Sequence, residues 1–235
     1  CCFFCLSLQQ KGDDYIVNPF VFGSATSGEC FTDREADAKR LSVNFTHGVN
    51  TILISPRRWG KTSLVRKVGE DIGTTSLRII NLDVFACRNP EEFYMLYATE
   101  LIKQTASRWE EWVENAKRFL SGLVPKISLG IDPVTDFTLS FDFSYPRLNE
   151  DVLNLPQKIA EEKGIRIVVC LDEFQQVAEF DESVYFQRKL RSVWQLHQNV
   201  TYCLYGSKPH LMTKLFSKQN IPFYNIICNN YFFIV

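Results

Sequence analysis

Neither sign of charge dominates this chain. Lysine and arginine number 26 against 27 aspartate and glutamate, a net charge of −1, so the global balance offers no argument for a nucleic-acid partner, and only a local basic patch would. No apolar run is long enough to cross a bilayer. The apolar start, Cys1 to Leu8, is short and lacks the charged beginning of a secretory signal, so no membrane association is expected. There is no internal repeat and no low-complexity tract. The eight cysteines have no framework. Only Cys2-x-x-Cys5 has metal or redox spacing, and it has neither a second pair nor a strand–helix–strand setting, so it reads as noise. Cys170 and Cys203 fall in apolar runs, where thiols behave as small hydrophobes. The initiator methionine is missing, and the chain stops inside the apolar run Tyr231 to Val235. Residues 1–17 therefore read as an atypical extension and 225–235 as an atypical end, with truncation or a disrupted reading frame expected. What is present fits a globular protein: 235 residues, 46% hydrophobic and 14% aromatic, enough for one large α/β domain or one domain with a small appendage.

The chemistry begins at residue 55. Ser55-Pro56-Arg57-Arg58-Trp59-Gly60-Lys61-Thr62-Ser63 follows the apolar run Thr51 to Ile54 and precedes the helix-like Leu64 to Val68. A strand, a tight loop and a helix start in that order form a phosphate-binding loop. Backbone N–H groups at a helix N-terminus have no intrahelical partner and carry partial positive charge. Gly60 leaves room for a phosphate oxygen, Lys61 can reach the β- and γ-phosphates, and the Thr62 hydroxyl can ligate Mg²⁺. The usual pattern, G-x-x-x-x-G-K-[ST], has glycine where this chain has Ser55, a small and turn-compatible variant. The competing explanation is a chance Gly-Lys-Thr on an ordinary βα turn.

A second motif lies 111 residues beyond Lys61. Val168 to Leu171 is a continuous apolar run, as for a parallel strand covered on both faces, and Asp172 and Glu173 stand at its carboxyl end. Asp172 is expected to hold Mg²⁺ through a water, and Glu173 to polarise the water that attacks the γ-phosphate. An acidic pair after a strand also caps helices; its pairing with the upstream loop favours the catalytic reading.

Elsewhere the periodicity predicts a helix over 33–45, opened by the capping-box spacing Thr32-Asp33-Arg34-Glu35, and a strand over 77–84. Asn89-Pro90-Glu91-Glu92 starts another helix, and 107–120 a further one whose Trp109, Trp112 and Phe119 read as core rather than a ligand platform. Residues 126–142 alternate as a hairpin around Asp132-Pro133; 151–163 and 184–198 read as helices, 200–205 as a buried strand, and 209–216 as a short helix. Strands alternating with helices imply a parallel sheet with right-handed crossovers, and 88–150 looks like an insertion between core strands.

On Asn18-Pro19-Phe20, Phe31-x-Asp33-Arg34-Glu35, the loop at 55–63, Leu171-Asp172-Glu173-Phe174 and Tyr205-Gly206-Ser207, the chain resembles the archaeal-type ATPase family, a STAND/AAA-like branch of P-loop NTPases, over most of 18–224. The resemblance implies a three-layer α/β sandwich with a central, mostly parallel sheet and a helical/β-hairpin insertion. It implies an AAA-like ATP-binding domain over 18–224 and nucleotide contacts from 55–63. It also implies base contacts from Phe31 and Arg34, and a γ-phosphate sensor at Ser207, although a strand-ending turn explains Ser207 equally. Arg188 and Arg191 could supply a finger to a neighbouring subunit, against the blander reading of a solvated helix face.

The expected function is thus Mg²⁺-dependent binding of ATP and hydrolysis to ADP, with Lys61, Glu173 and Ser207 catalytic and Thr62 and Asp172 on the metal. The nucleotide state would act as a conformational or assembly switch. The rival is a nucleotide-gated scaffold or DNA-associated regulator with little turnover; a small-molecule kinase is weaker. A homo-oligomer and a protein or DNA partner, engaged through regions this chain does not contain, are the expected associations. Reduced cysteines beside such a site point to the cytoplasm.

Overall fold

The computed structural model describes residues 34–106, 108–120, 125–128, 137–144, 147–216, 223 and 231–233. Its main sheet contains β1 (Thr51–Ile54), β2 (Leu77–Asp83), β5 (Arg166–Asp172), β6 (Val200–Gly206) and β7 (Tyr231–Phe233). They lie in the order β2-β5-β6-β1-β7, with every adjacent pair parallel. The strand predictions at 51, 77, 168 and 200 hold to within a few residues. The segment read as an atypical end contains β7, which extends the sheet beyond β1 with Ile52 opposite Tyr231.

Side chains of successive strand residues point to opposite faces, and the core divides accordingly. Ile167, Val169 and Leu171 join one cluster, whereas Val168 and Cys170 join the other. On the second face lie α1 (Glu35–His47) and α2 (Lys61–Ile72), which bury Leu41, Phe45, Leu64, Val65 and Val68. On the first face lie α3 (Pro90–Gln104), α4 (Trp109–Phe119), α5 (Leu148–Leu153), α6 (Leu155–Lys163), α7 (Ser183–Trp194) and α8 (Pro209–Phe216). Their core is rich in rings: Phe93 stacks on Tyr97 at 5.5 Å, and Trp194 on Tyr202 at 4.2 Å.

The insertion is helical and then hairpin, as expected. β3 (Lys126–Ser128) pairs antiparallel with β4 (Thr138–Ser140), and the Leu139 N–H donates to Thr99 Oγ1 of α3 at 3.1 Å, which ties the hairpin to the body. The predicted turn at Asp132-Pro133 lies outside the described residues.

Three boundaries differ. The helix expected over 151–163 is two helices meeting at Asn154, because Pro156 has no N–H for the ladder and fits only a helix's first turn. The helix expected to reach 198 ends at Trp194. The capping box at Thr32 lies outside the described residues; α1 begins after Arg34, which makes no side-chain cap.

Candidate functional site

β1, β5 and β6 deliver their carboxyl ends side by side. Because β6 lies between β1 and β5, its last residues sit between the loop after β1 and the acids after β5. The loop turns tightly. Arg58 (φ 65°) and Gly60 (φ 70°) are both left-handed, a conformation that costs a side-chain-bearing residue such as Arg58 and suits glycine. Gly60 is also the N-cap of α2, so the first N–H groups of that helix open toward the loop.

Lys61, 5% exposed, donates from Nζ to the carbonyls of Ser55 at 2.8 Å and Pro56 at 3.0 Å. Burial lowers its pKa. The carboxylates of Glu173 and Asp172 oppose that, and the guanidinium groups of Arg34 and Arg57 add to it. Pro56, Arg57, Arg58 and Trp59 are exposed, while Ser55 and Ser63 are buried. Arg34, at the start of α1, reaches over the loop: Nη1 donates to the Trp59 carbonyl at 2.5 Å, and Nε pairs with Asp37 at 3.2 Å. The expected base-contact residue is therefore seated on the loop backbone. Phe31 lies outside the described residues.

Thr62 joins the two motifs. Its hydroxyl donates to Asp172 Oδ2 at 2.6 Å, and Asp172 Oδ1 accepts the Glu173 N–H at 2.8 Å. Burial raises the Asp172 pKa; those two hydrogen bonds pull it down, and the charges of Glu173 and Asp83 raise it further. A hydroxyl and a carboxylate in contact are hard oxygen donors of the kind Mg²⁺ prefers. Among the described residues no group of three or more His, Cys, Asp or Glu forms a protein-only cage. A divalent ion at Thr62 and Asp172 would complete its shell with phosphate and water, the usual arrangement for Mg²⁺.

Glu173 is left-handed at φ 51° and opens a 3₁₀ turn over Phe174–Glu179. Its Oε2 accepts the Ser207 hydroxyl at 2.8 Å and a second bond from Gln175 Nε2. Ser207 in turn accepts from Arg57 Nε at 3.4 Å. A chain of contacts thus runs from the loop through Ser207 to the acidic pair. The sequence points to Ser207 and to Arg57 separately, and the bond between them is visible only in the fold. Gln175 does not stand out in the sequence; its one local signal is its place two residues beyond the acids. Arg188, exposed, and Arg191, partly buried, stand on α7 outside this chain of contacts.

No protein-family model and no curated protein matches the chain. Among solved structures, it is similar to the Walker-type ATPase of Pyrococcus abyssi, with 20% identity and a TM-score of 0.59 over 91% of this chain and 56% of that one. It also matches the ORC2 protein of Aeropyrum pernix (17% identity, TM-score 0.49, 79% of this chain and 43% of that one). A third match is Cdc6p of Pyrobaculum aerophilum (13%, 0.46, 83% and 44%). The first likeness shows the fold, an α/β sandwich with a central, mostly parallel sheet, as the resemblance implied. The chain spans little more than half the length of that ATPase.

Proposed function

We propose that this chain binds ATP with Mg²⁺ in the loop over 55–63, hydrolyses it to ADP and phosphate, and uses the nucleotide state as a conformational or assembly switch. The observation that carries the reading is the Thr62–Asp172 hydrogen bond of 2.6 Å, which joins a phosphate loop to an acidic strand end whose next residue is Glu173. Neither motif alone would distinguish this site from an ordinary βα turn; their contact supports reading them together.

The N–H groups at the start of α2 and the Lys61 ammonium bind the β- and γ-phosphates. Thr62 and Asp172 hold the metal, which when bound neutralises charge that develops on the phosphate oxygens. Glu173 accepts a proton from the attacking water, and the leaving ADP takes the bond electrons of the cleaved P–O link. Arg57 is exposed on the loop and bonded to Ser207, so a γ-phosphate that draws Arg57 toward itself would alter the Ser207 contact with Glu173. That linkage supports the switch: loop occupancy is read at the base, with Ser207 as the intermediary.

Titration of the chain with a fluorescent ATP analogue in Mg²⁺ tests the binding half. Saturable binding that Lys61→Ala abolishes is the expected result. Glu173→Gln is expected to keep binding and lose at least about 100-fold in turnover, the scale of general-base catalysis. Equal turnover by Glu173→Gln and the parent would remove Glu173 from the mechanism. Binding without turnover in the parent would favour the nucleotide-gated scaffold.

A further inference from the structure

We propose that Gln175 is a positioning residue that sets the carboxylate of Glu173, and that residue 206 is glycine to give the Gln175 side chain its seat. Gln175 is 2% exposed, two residues beyond the acid, on the first turn of the 3₁₀ segment. Its Nε2 donates to Glu173 Oε2. Its Oε1 is buried without a hydrogen-bond partner among the described residues and occupies the space a Cβ on Gly206 would need. A Cβ there would also lie 2.9 Å from Met212 Sδ.

The amide has only one workable orientation. Turned over, it would point an oxygen at the carboxylate and lose the one hydrogen bond it makes among the described residues, so the carboxylate of Glu173 decides which end faces inward. The cost is a buried carbonyl oxygen left unpaired, a feature that persists where it serves something else. Here the benefit falls on Glu173. Gln175 and Ser207 donate to the same oxygen, Oε2, so one edge of the carboxylate is held from two elements and the other oxygen is left for the attacking water. Ser207 stands on the exit of β6 and bonds to Arg57 of the loop, whereas Gln175 is fixed in the core. One tether can respond to the loop; the other keeps the carboxylate in register while it does.

Gly206 is where the two tethers meet in sequence. It ends β6, immediately before Ser207, and its missing side chain is the volume into which Gln175 fits. An alanine at 206 should therefore expel the Gln175 amide without touching either member of its hydrogen bond.

The consequence for turnover rests on the ATPase reading; the bond between Gln175 and Glu173 does not. The test accordingly has two arms on the full chain. In the first, Gln175→Leu and Gly206→Ala are compared with the parent for ATP affinity and turnover. A misplaced base costs on the order of 10²-fold. Both variants should lose about 10- to 100-fold in turnover and change affinity less than about threefold, and Gln175→Glu, which sets a second carboxylate against Glu173, should lose more. Parent-like turnover in Gln175→Leu would overturn the proposal.

In the second arm, amide NMR follows the Gln175 side-chain NH₂, assigned by its loss in Gln175→Leu. Slow solvent exchange in the parent that becomes fast in Glu173→Ala is the expected result. Fast exchange in the parent would overturn the proposal whether or not the chain hydrolyses ATP. Should the parent show no turnover while the amide is protected, the ATPase reading fails and the clamp stands. Should Gly206→Ala fail to fold, Gln175→Leu and the exchange measurement still decide.

Discussion

One face of the sheet is covered by helices that bring aromatic rings, the other by two helices resting on Leu53, Val168, Cys170, Cys203 and Tyr205. The loop over 55–63 belongs to the second. α2 starts at Lys61 and packs through Leu64, Val65 and Val68, so the residues that stabilise this layer stand within one or two turns of those that would bind phosphate. On the ring-rich face, Phe93, Tyr97, Trp194 and Tyr202 form a body set apart from the loop's helix by the sheet itself. The contrast implies a division of labour. The ring-rich face holds the strands in place, and under the proposed switch a change at the loop would pass directly into α2.

The largest effects should separate the two faces. Phe93, fully buried, stacks on Tyr97 and meets Phe186 edge-to-face at 5.2 Å. Phe93→Ala should cost about 3–5 kcal/mol of unfolding free energy and leave nucleotide affinity unchanged in the molecules that remain folded. Leu64→Ala should cost about 2–5 kcal/mol as well, but with weaker nucleotide binding, because the cavity opens beneath the first turn of α2. Denaturation midpoints and analogue titrations on both variants make the check. An equal fall in affinity for the two would mean that the sheet does not insulate the site.

A smaller effect sharpens the comparison by pH. His197 lies on the ring-rich face, with Nδ1 2.8 Å from the Tyr202 hydroxyl and Nε2 3.2 Å from Asn154 Oδ1. Burial lowers its pKa to about 4, against a weaker opposing pull from Glu161. Since the folded value is depressed, the folded state binds the proton less readily than the unfolded chain does. The neutral ring therefore costs nothing above the ordinary histidine range, and stability falls as pH drops from about 6.5 toward 4. Between pH 7.5 and 5 the loss attributable to this group is about 2 kcal/mol. His197→Gln should flatten that part of the profile in urea unfolding. An unchanged pH slope would assign the acid sensitivity to other groups. The other face should respond differently: Asp172, whose pKa is raised chiefly by burial, would lose its charge at a higher pH than a solvated aspartate, so acid should weaken Mg²⁺-dependent binding in the parent and in His197→Gln alike.

These pairs also show where sequence reasoning reaches. The loop and the acidic strand end were legible because each is local: a period-2 or continuous apolar run, then glycine, lysine or acid within a few residues. The helix break at Asn154 was signalled by Pro156, yet the apolar spacing continued through it and masked the stop. What stayed hidden was the lateral order of strands. Nothing near Ser207 says that β6 lies between β1 and β5, and that order brings Ser207, 34 residues on, to Glu173. The same holds for β7, whose apolar residues gave no sign that their partner is Ile52. Arg34 shows the limit from the other side: the resemblance alone suggested it as a base contact, while its bond to the Trp59 carbonyl depends on how α1 crosses α2.

The smallest effect tests whether the ring-rich face is only a scaffold. Asn89 caps α3, its side chain accepting the Glu92 N–H at 2.8 Å, and Pro90 follows as the first helical residue. Both features fix where α3 begins, and α3 carries Phe93 into the core one turn later. Asn89→Ala should cost about 1 kcal/mol, the usual loss of an N-cap side chain, and Asn89→Ser should recover most of it. Neither should alter nucleotide affinity or turnover, since the sheet separates α3 from α2. A fall in turnover with stability restored in Asn89→Ser would mean that the start of α3 bears on the acidic end of β5, which lies beside β2, the strand that leads into it.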